Sequence, residues 1–230
     1  MMVSAANGPL RRLSEAYRRR RFALLFVSLL LTLAAEPLLR AAGIEADLLQ
    51  GFLALNGLAA VLGAVAGRGR QILLVLLALF AAFGVLSSSS QAEFLLPLRG
   101  AVWAFIALLA LAGTLRAALR RGPVDAERIY AALSAYLLAG LVFGVVYWTY
   151  ERVWPGSFNT PAGQGELSQW RLMYFSFVTL ASLGYGDITP ATDAARGMAV
   201  LEVVSGQMYL AVLVARLVSL YATQERSQSR

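Results

Sequence analysis

The residues whose types and spacing could do chemistry are Ser182-Leu183-Gly184-Tyr185-Gly186-Asp187. Two glycines flanking one aromatic let alternate residues take unusual backbone angles at little steric cost, so that successive carbonyls point the same way. A ladder of such carbonyl oxygens can replace the hydration shell of a dehydrated alkali cation, potassium above all. Tyr185 is expected to aim outward and pack behind the loop, bracing its width. Gly-Tyr-Gly alone also marks ordinary turns, so its surroundings decide the matter.

Those surroundings are apolar. The chain is 59% hydrophobic and 14% charged, with a mean hydropathy of +0.65, outside the range of soluble globular domains. Six apolar runs have lengths that suit helical membrane crossings: Phe22 to about Leu39, Leu48 to Ala66, Ile72 to Leu86, Leu98 to Ala118, Ile129 to Tyr150, and Ala194 to Tyr221. Trp170 to Leu183, between the last two, is too short to cross and fits a re-entrant helix. The fold class predicted is an all-α membrane protein.

Every one of the 20 basic residues is arginine, and the sequence has neither cysteine nor histidine. Disulfides and thiolate metal sites are excluded, and the usual zinc ligand and general base are missing, so enzymatic chemistry is not expected. In a soluble protein a net charge of +7 would suggest nucleic acid. Here the arginines flank the apolar runs, which points to membrane topology and to no nucleic-acid partner. Arg11, Arg12 and Arg18 to Arg21 precede the first run, and Arg68 and Arg70 join the second and third. Arg116, Arg120, Arg121 and Arg128 join the fourth and fifth, and Arg226 and Arg230 follow the sixth. The opposite loops hold only Arg40, Arg152 and Arg171. The positive-inside rule then puts both termini in the cytoplasm and the re-entrant segment on the outside. A competing reading takes Arg18 to Arg21 and Phe22 to Ala35 as a cleaved leader, which leaves the later orientation unchanged.

The elements that must position the loop follow from this. A Gly/Pro/Ser-rich turret runs from Trp154 to Gly165, and Ser168 stands where an N-cap belongs. A helix from Gln169 to Leu180 is predicted to run straight into the loop, with its C-terminal carbonyls favouring a cation at the membrane's centre. Pro190 and a full span follow.

The segment from Tyr174 to Pro190, YFSFVTLASLGYGDITP, resembles the pore region of potassium channels of the voltage-gated-like pore-loop superfamily in their bacterial, six-span form. The resemblance is specific over roughly the last hundred residues and only architectural before that. It implies a homotetramer around a central pore, in the inner membrane, with potassium held by Ser182, Leu183, Gly184, Tyr185 and Gly186. Potassium is the permeant ligand, and no cofactor is expected. Ser182 stands where the family usually has threonine, and Leu183 where it usually has valine. A serine hydroxyl still offers an oxygen ligand, but it lacks the methyl that restrains its rotamer.

Three further residues carry paired readings. Tyr174 stands where relatives often hydrogen-bond the aspartate after Gly-Tyr-Gly, here Asp187; otherwise it is an interfacial aromatic. Gly206 lies where the family's inner helix carries a hinge glycine, and close packing is the alternative. Glu202 is an acid at membrane depth, where such residues face protein or water. It is expected to hydrogen-bond behind the filter or to the Gln169–Leu180 helix, near Thr179 and Ser182, with cavity lining as the second possibility.

The chain therefore divides into an Arg-rich segment (1–21), suited to anionic lipid, a four-helix sensor-like unit (22–121), a pore unit (122–221) and a short tail (222–230). The fourth span has Arg99 at its outer end and nothing charged from Gly100 to Leu115, so steep voltage gating is not expected. No nucleotide or calcium loop occurs. One Gly-Tyr-Gly loop cannot enclose an ion, so four copies must meet. Three classes remain: a potassium-selective channel, a less selective monovalent cation channel, and a non-conducting regulatory subunit.

Overall fold

The computed structural model describes residues 8–42, 96–120, 125–161 and 167–228. The described chain is almost wholly helical: α1 (Gly8–Ala41), α2 (Leu96–Leu119), α3 (Ala126–Val153), α4 (Gln169–Leu180) and α5 (Asp193–Gln228). Two short strands, β1 (Phe158–Asn159) and β2 (Thr189–Pro190), pair antiparallel. Among the described residues, three helices are long and apolar enough to cross a membrane: Arg20–Leu39, Ala126–Val153 and Asp193–Arg216. They correspond to the first, fifth and sixth expected spans. The fourth appears as α2, whose apolar stretch Ala104–Leu119 is shorter. The expected second and third spans, 48–66 and 72–86, lie outside the described residues.

Helix α1 is two helices joined at Arg20, whose φ of −128° and ψ of 20° interrupt the helical run. The break falls where the arginine-rich segment gives way to apolar sequence. A helix start leaves N–H groups without intrahelical partners, and one of these, on Phe22, donates to Glu127 Oε2 at 3.0 Å. Glu127 lies in the first turn of α3, where a carboxylate also suits the helix dipole, and Asp125 caps that helix by accepting from the Arg128 N–H.

Helix α3 is the hub, packed against α1, α2, α4 and α5. Phe22, Leu25 and Leu29 form one face of α1 and bury against Ala110 of α2 and Leu138, Leu141 and Val145 of α3. The α3–α4 contact is closer still. A Cβ on Gly140 would lie 2.7 Å from the Phe177 ring, and one on Gly144 2.8 Å from the Met173 Cα. Small residues four apart let two membrane helices approach to backbone contact.

The pairing of β1 with β2 ties the turret to the segment after Gly-Tyr-Gly-Asp, Phe158 opposite Pro190 and Asn159 opposite Thr189. Glu151, at the end of α3, shapes the turret by accepting from the Gly156 and Phe158 N–H groups at 2.9 and 3.1 Å.

Candidate functional site

The site is built from the end of α4 outward. The helix begins at Gln169, with Ser168 as its N-cap, the limits predicted from the sequence. At its other end the N–H of Ser182 bonds the Thr179 carbonyl and that of Leu183 bonds the Val178 carbonyl, both at 2.9 Å. This pair of bonds is a Schellman cap, which requires a left-handed residue between the helix and its second flanking residue. Ser182 is that residue, with φ of 58°. The first loop residue is therefore also the helix terminator.

Gly184 and Gly186 have φ of 61° and 80°. Left-handed backbone thus recurs at 182, 184 and 186, with Leu183 and Tyr185 between them outside that region. Alternation of hand at every second residue turns successive peptide planes so that their carbonyls share a direction. The sequence assigned this need to the two glycines; that Ser182 also takes it follows from the cap.

The last carbonyls of the helix all have hydrogen-bond donors. Those of Phe177, Val178 and Thr179 accept from the N–H groups of Ala181, Leu183 and Ser182, and that of Leu180 accepts from the Tyr136 hydroxyl at 3.2 Å. The helix end can offer a cation the field of its aligned dipoles.

Leu183 and Tyr185 are 56% and 65% exposed. Tyr185, expected to pack behind the loop, is left largely exposed by the described residues. Asp187 receives a hydrogen bond from Tyr174.

Glu202 is fully buried, which excludes cavity lining within this chain. Its Oε2 accepts from the Tyr147 hydroxyl at 2.6 Å, and its Oε1 lies 2.5 Å from the Ser176 hydroxyl. Ser176 Oγ is also 2.7 Å from the Gly140 carbonyl oxygen, so α5, α4 and α3 meet at one polar joint. The expected hydrogen bond to α4 is made by Ser176, about one turn before the neighbourhood of Thr179 and Ser182, and Tyr147 of α3 is a second partner. The reason is register: α4 and α5 step together, one turn for one turn. Glu202 meets Ser176, and four residues on Gly206 meets Leu180, whose carbonyl oxygen would be 2.7 Å from a Cβ there. Gly206 thus sits inside the continuous helix α5 at a close backbone approach. Tyr147 also packs edge-on against Phe158 and Phe175, with centroids 5.4 and 5.2 Å away, sealing the joint from the turret side.

Two site residues escaped the sequence reading. Gln207, next to Gly206, donates from Nε2 to Ser182 Oγ at 2.8 Å. Arg216 donates to the carbonyls of Ala118, Leu119 and Arg120 at 3.0, 3.0 and 2.8 Å, capping the end of α2. An arginine deep inside the apolar run of α5 was a visible signal for the second.

Residues 133–223 match the family described as Ion channel, a span covering most of α3, all of α4 and the membrane-length part of α5. Over 84 residues, 36% of the chain, the sequence is 39% identical to the two pore potassium channel c of Oryza sativa subsp. japonica. The chain spans 18% of the length of that relative. No solved structure matches the chain. The matched domain and the apolar helices support ion-channel function in a membrane.

Proposed function

We propose that the protein is a potassium-selective channel, assembled from four copies, that conducts potassium passively through a filter of backbone carbonyls. The observation carrying this reading is the left-handed backbone at alternate residues 182, 184 and 186, which turns consecutive carbonyls one way. A potassium ion entering from either side sheds water as the carbonyls of Leu183, Gly184 and Tyr185 and the hydroxyl of Ser182 replace it. Gly186 closes the ladder, and the Tyr174–Asp187 bond braces its outer end. The rice relative is a potassium channel by name, which supports the choice of ion.

Assembly follows from what the single chain leaves uncovered. Only 11% of the α5 span is buried, against 56% of α3. Leu201, Val204, Met208 and Val212 form an exposed stripe at helical spacing along α5, continuous with the exposed loop. Four copies facing one axis cover that stripe and enclose the ion. Both termini are cytoplasmic, the arginines of 1–21 rest on anionic lipid of the inner membrane, and Gly206 is the pivot of α5.

The second reading, a less selective monovalent cation channel, rests on Ser182 and Leu183 as departures from the usual filter pattern. Reversal potentials in liposomes under opposed potassium and sodium gradients decide between them. The potassium reading expects a value near the potassium equilibrium potential. A value near zero favours the second, and no current at all favours a non-conducting subunit.

A further inference from the structure

Serine at position 182 leaves a question that the fold answers. A side chain with one Oγ and no γ-methyl turns freely among three staggered rotamers, whereas a useful ligand oxygen must hold one. The backbone of Ser182 is held by the Schellman cap, through its N–H to Thr179 and that of Leu183 to Val178. Its side chain is held by something else. Gln207 Nε2 donates to Ser182 Oγ across 25 residues of sequence at 2.8 Å. Gln207 is itself anchored, because its neighbour Gly206 lies against the Leu180 carbonyl at the root of the same cap.

From this geometry we infer that Gln207 is a specificity-determining positioning residue of the innermost cation site. A hydroxyl oxygen has two lone pairs. The amide takes one, and that fixes the direction of the other, which is left for a dehydrated cation. The hydrogen bond does the work that a γ-methyl would do at this position. Both side chains belong to exposed residues of the single chain, on the side that the assembly turns towards its axis. Gln207 also reaches Ser182 from the inner helix, so a movement of α5 at Gly206 withdraws the amide and frees the hydroxyl. Selectivity at the inner end of the filter is tied in this way to the position of α5.

The inference rests on the potassium-channel reading, and one experiment separates the two. Permeability ratios of potassium over sodium are measured in proteoliposomes for the parent, Gln207→Leu, Ser182→Ala and the double variant. Loss of one hydrogen bond per subunit is expected to lower the ratio about fivefold or more in Gln207→Leu. In the Ser182→Ala background the same change should move it less than about twofold, because the oxygen it positions is gone. A general packing defect would act equally in both backgrounds. If Gln207→Leu does not assemble, Gln207→Asn, one methylene too short to reach Ser182, is read by the same criterion. A selective parent whose ratio is unmoved by Gln207→Leu, or moved equally with and without Ser182, overturns the inference and leaves the reading standing. A parent with no potassium preference overturns both.

Discussion

Apart from the Glu127 carboxylate that caps α1 at its break, helices α1 and α2 meet α3 through apolar side chains, whereas α4 and α5 meet it through glycine backbones, hydroxyls and a fully buried carboxylate. On the first side Phe22, Leu25, Leu29 and Ala110 pack against Leu138 and Leu141. The buried hydroxyl of Thr114 there bonds a carbonyl of its own helix, Ala110 O, at 2.7 Å. On the second side Glu202 of α5 is joined to Ser176 of α4 and Tyr147 of α3. The difference matters because aliphatic contacts tolerate small slides and rotations, while a buried carboxylate that loses its partners is strongly destabilising. The polar joint fixes the height and rotation of α5 against α4. The contacts of α5 with the end of α4 and the loop, Gly206 against Leu180 and Gln207 against Ser182, lie one turn further along and inherit that register.

The most severe test of this contrast is at the loop itself. With φ of 61° and 80°, Gly184 and Gly186 hold backbone that costs an L-residue about 1–2 kcal/mol each, in every copy of the proposed tetramer. A Cβ at either position would meet nothing within 4 Å in the chain, so alanine acts through backbone strain and not through a clash with its own chain. Potassium should raise the melting temperature of the parent tetramer relative to sodium, since ions bound between four loops favour the assembled state. In Gly184→Ala and Gly186→Ala melting in sodium should fall by the backbone strain, and the increment that potassium adds over sodium should vanish. Survival of the increment would show that these backbone angles do not serve ion binding.

A smaller effect is expected at the polar joint. Glu202→Gln keeps the shape and one hydrogen bond and loses the charge-assisted part, a cost of roughly 1–2 kcal/mol. Conductance should persist, with faster loss of current and weaker protection by potassium. Tyr147→Phe should act in the same direction, and the two should be non-additive because they remove one contact. Thr114→Val is the control on the aliphatic side. Its hydroxyl serves only the Ala110 carbonyl of its own helix among the contacts described, so the change should be within about 0.5 kcal/mol. If Thr114→Val costs as much as Glu202→Gln, the two sides are held by the same kind of force and the contrast fails. A sharp drop in single-channel conductance in Glu202→Gln would instead place the carboxylate on the ion path.

The same contrast explains how much could be known beforehand. The motif, the limits of α4 and its Ser168 cap are local patterns, and the described spans fall close to the apolar runs that announced them. The partners of Glu202 were not legible, because they depend on the rotations of three helices, and Tyr147 sits in an apolar run without a local cue. Ser182 in a left-handed conformation was hidden for another reason: only the capping bonds of α4 call for it. Gly140 and Gly144, four apart on α3, were a legible signal of close helix approach that the motif overshadowed.

The smallest effect is expected from Arg99, and it tests whether α2 is more than packing. Arg99 lies in the first turn of α2, and Arg116 in its last turn is the helix's other charge. The far end of α2 is fastened by Arg216 of α5, so the helix is coupled to the pore; what it lacks is charge to move. One elementary charge crossing the whole field gains about 2.3 kcal/mol per 100 mV, whereas steep gating needs three or four such charges in each subunit. Replacing Arg99 by Gln should therefore leave the open probability as flat across membrane potential as in the parent, measured in planar bilayers from negative to positive voltages. A steep parental response abolished by Arg99→Gln would make α2 a sensor acting through the Arg216 contact. A steep response that survives the substitution would mean that charge elsewhere in the chain moves, and the aliphatic side could no longer be treated as a passive belt around the pore.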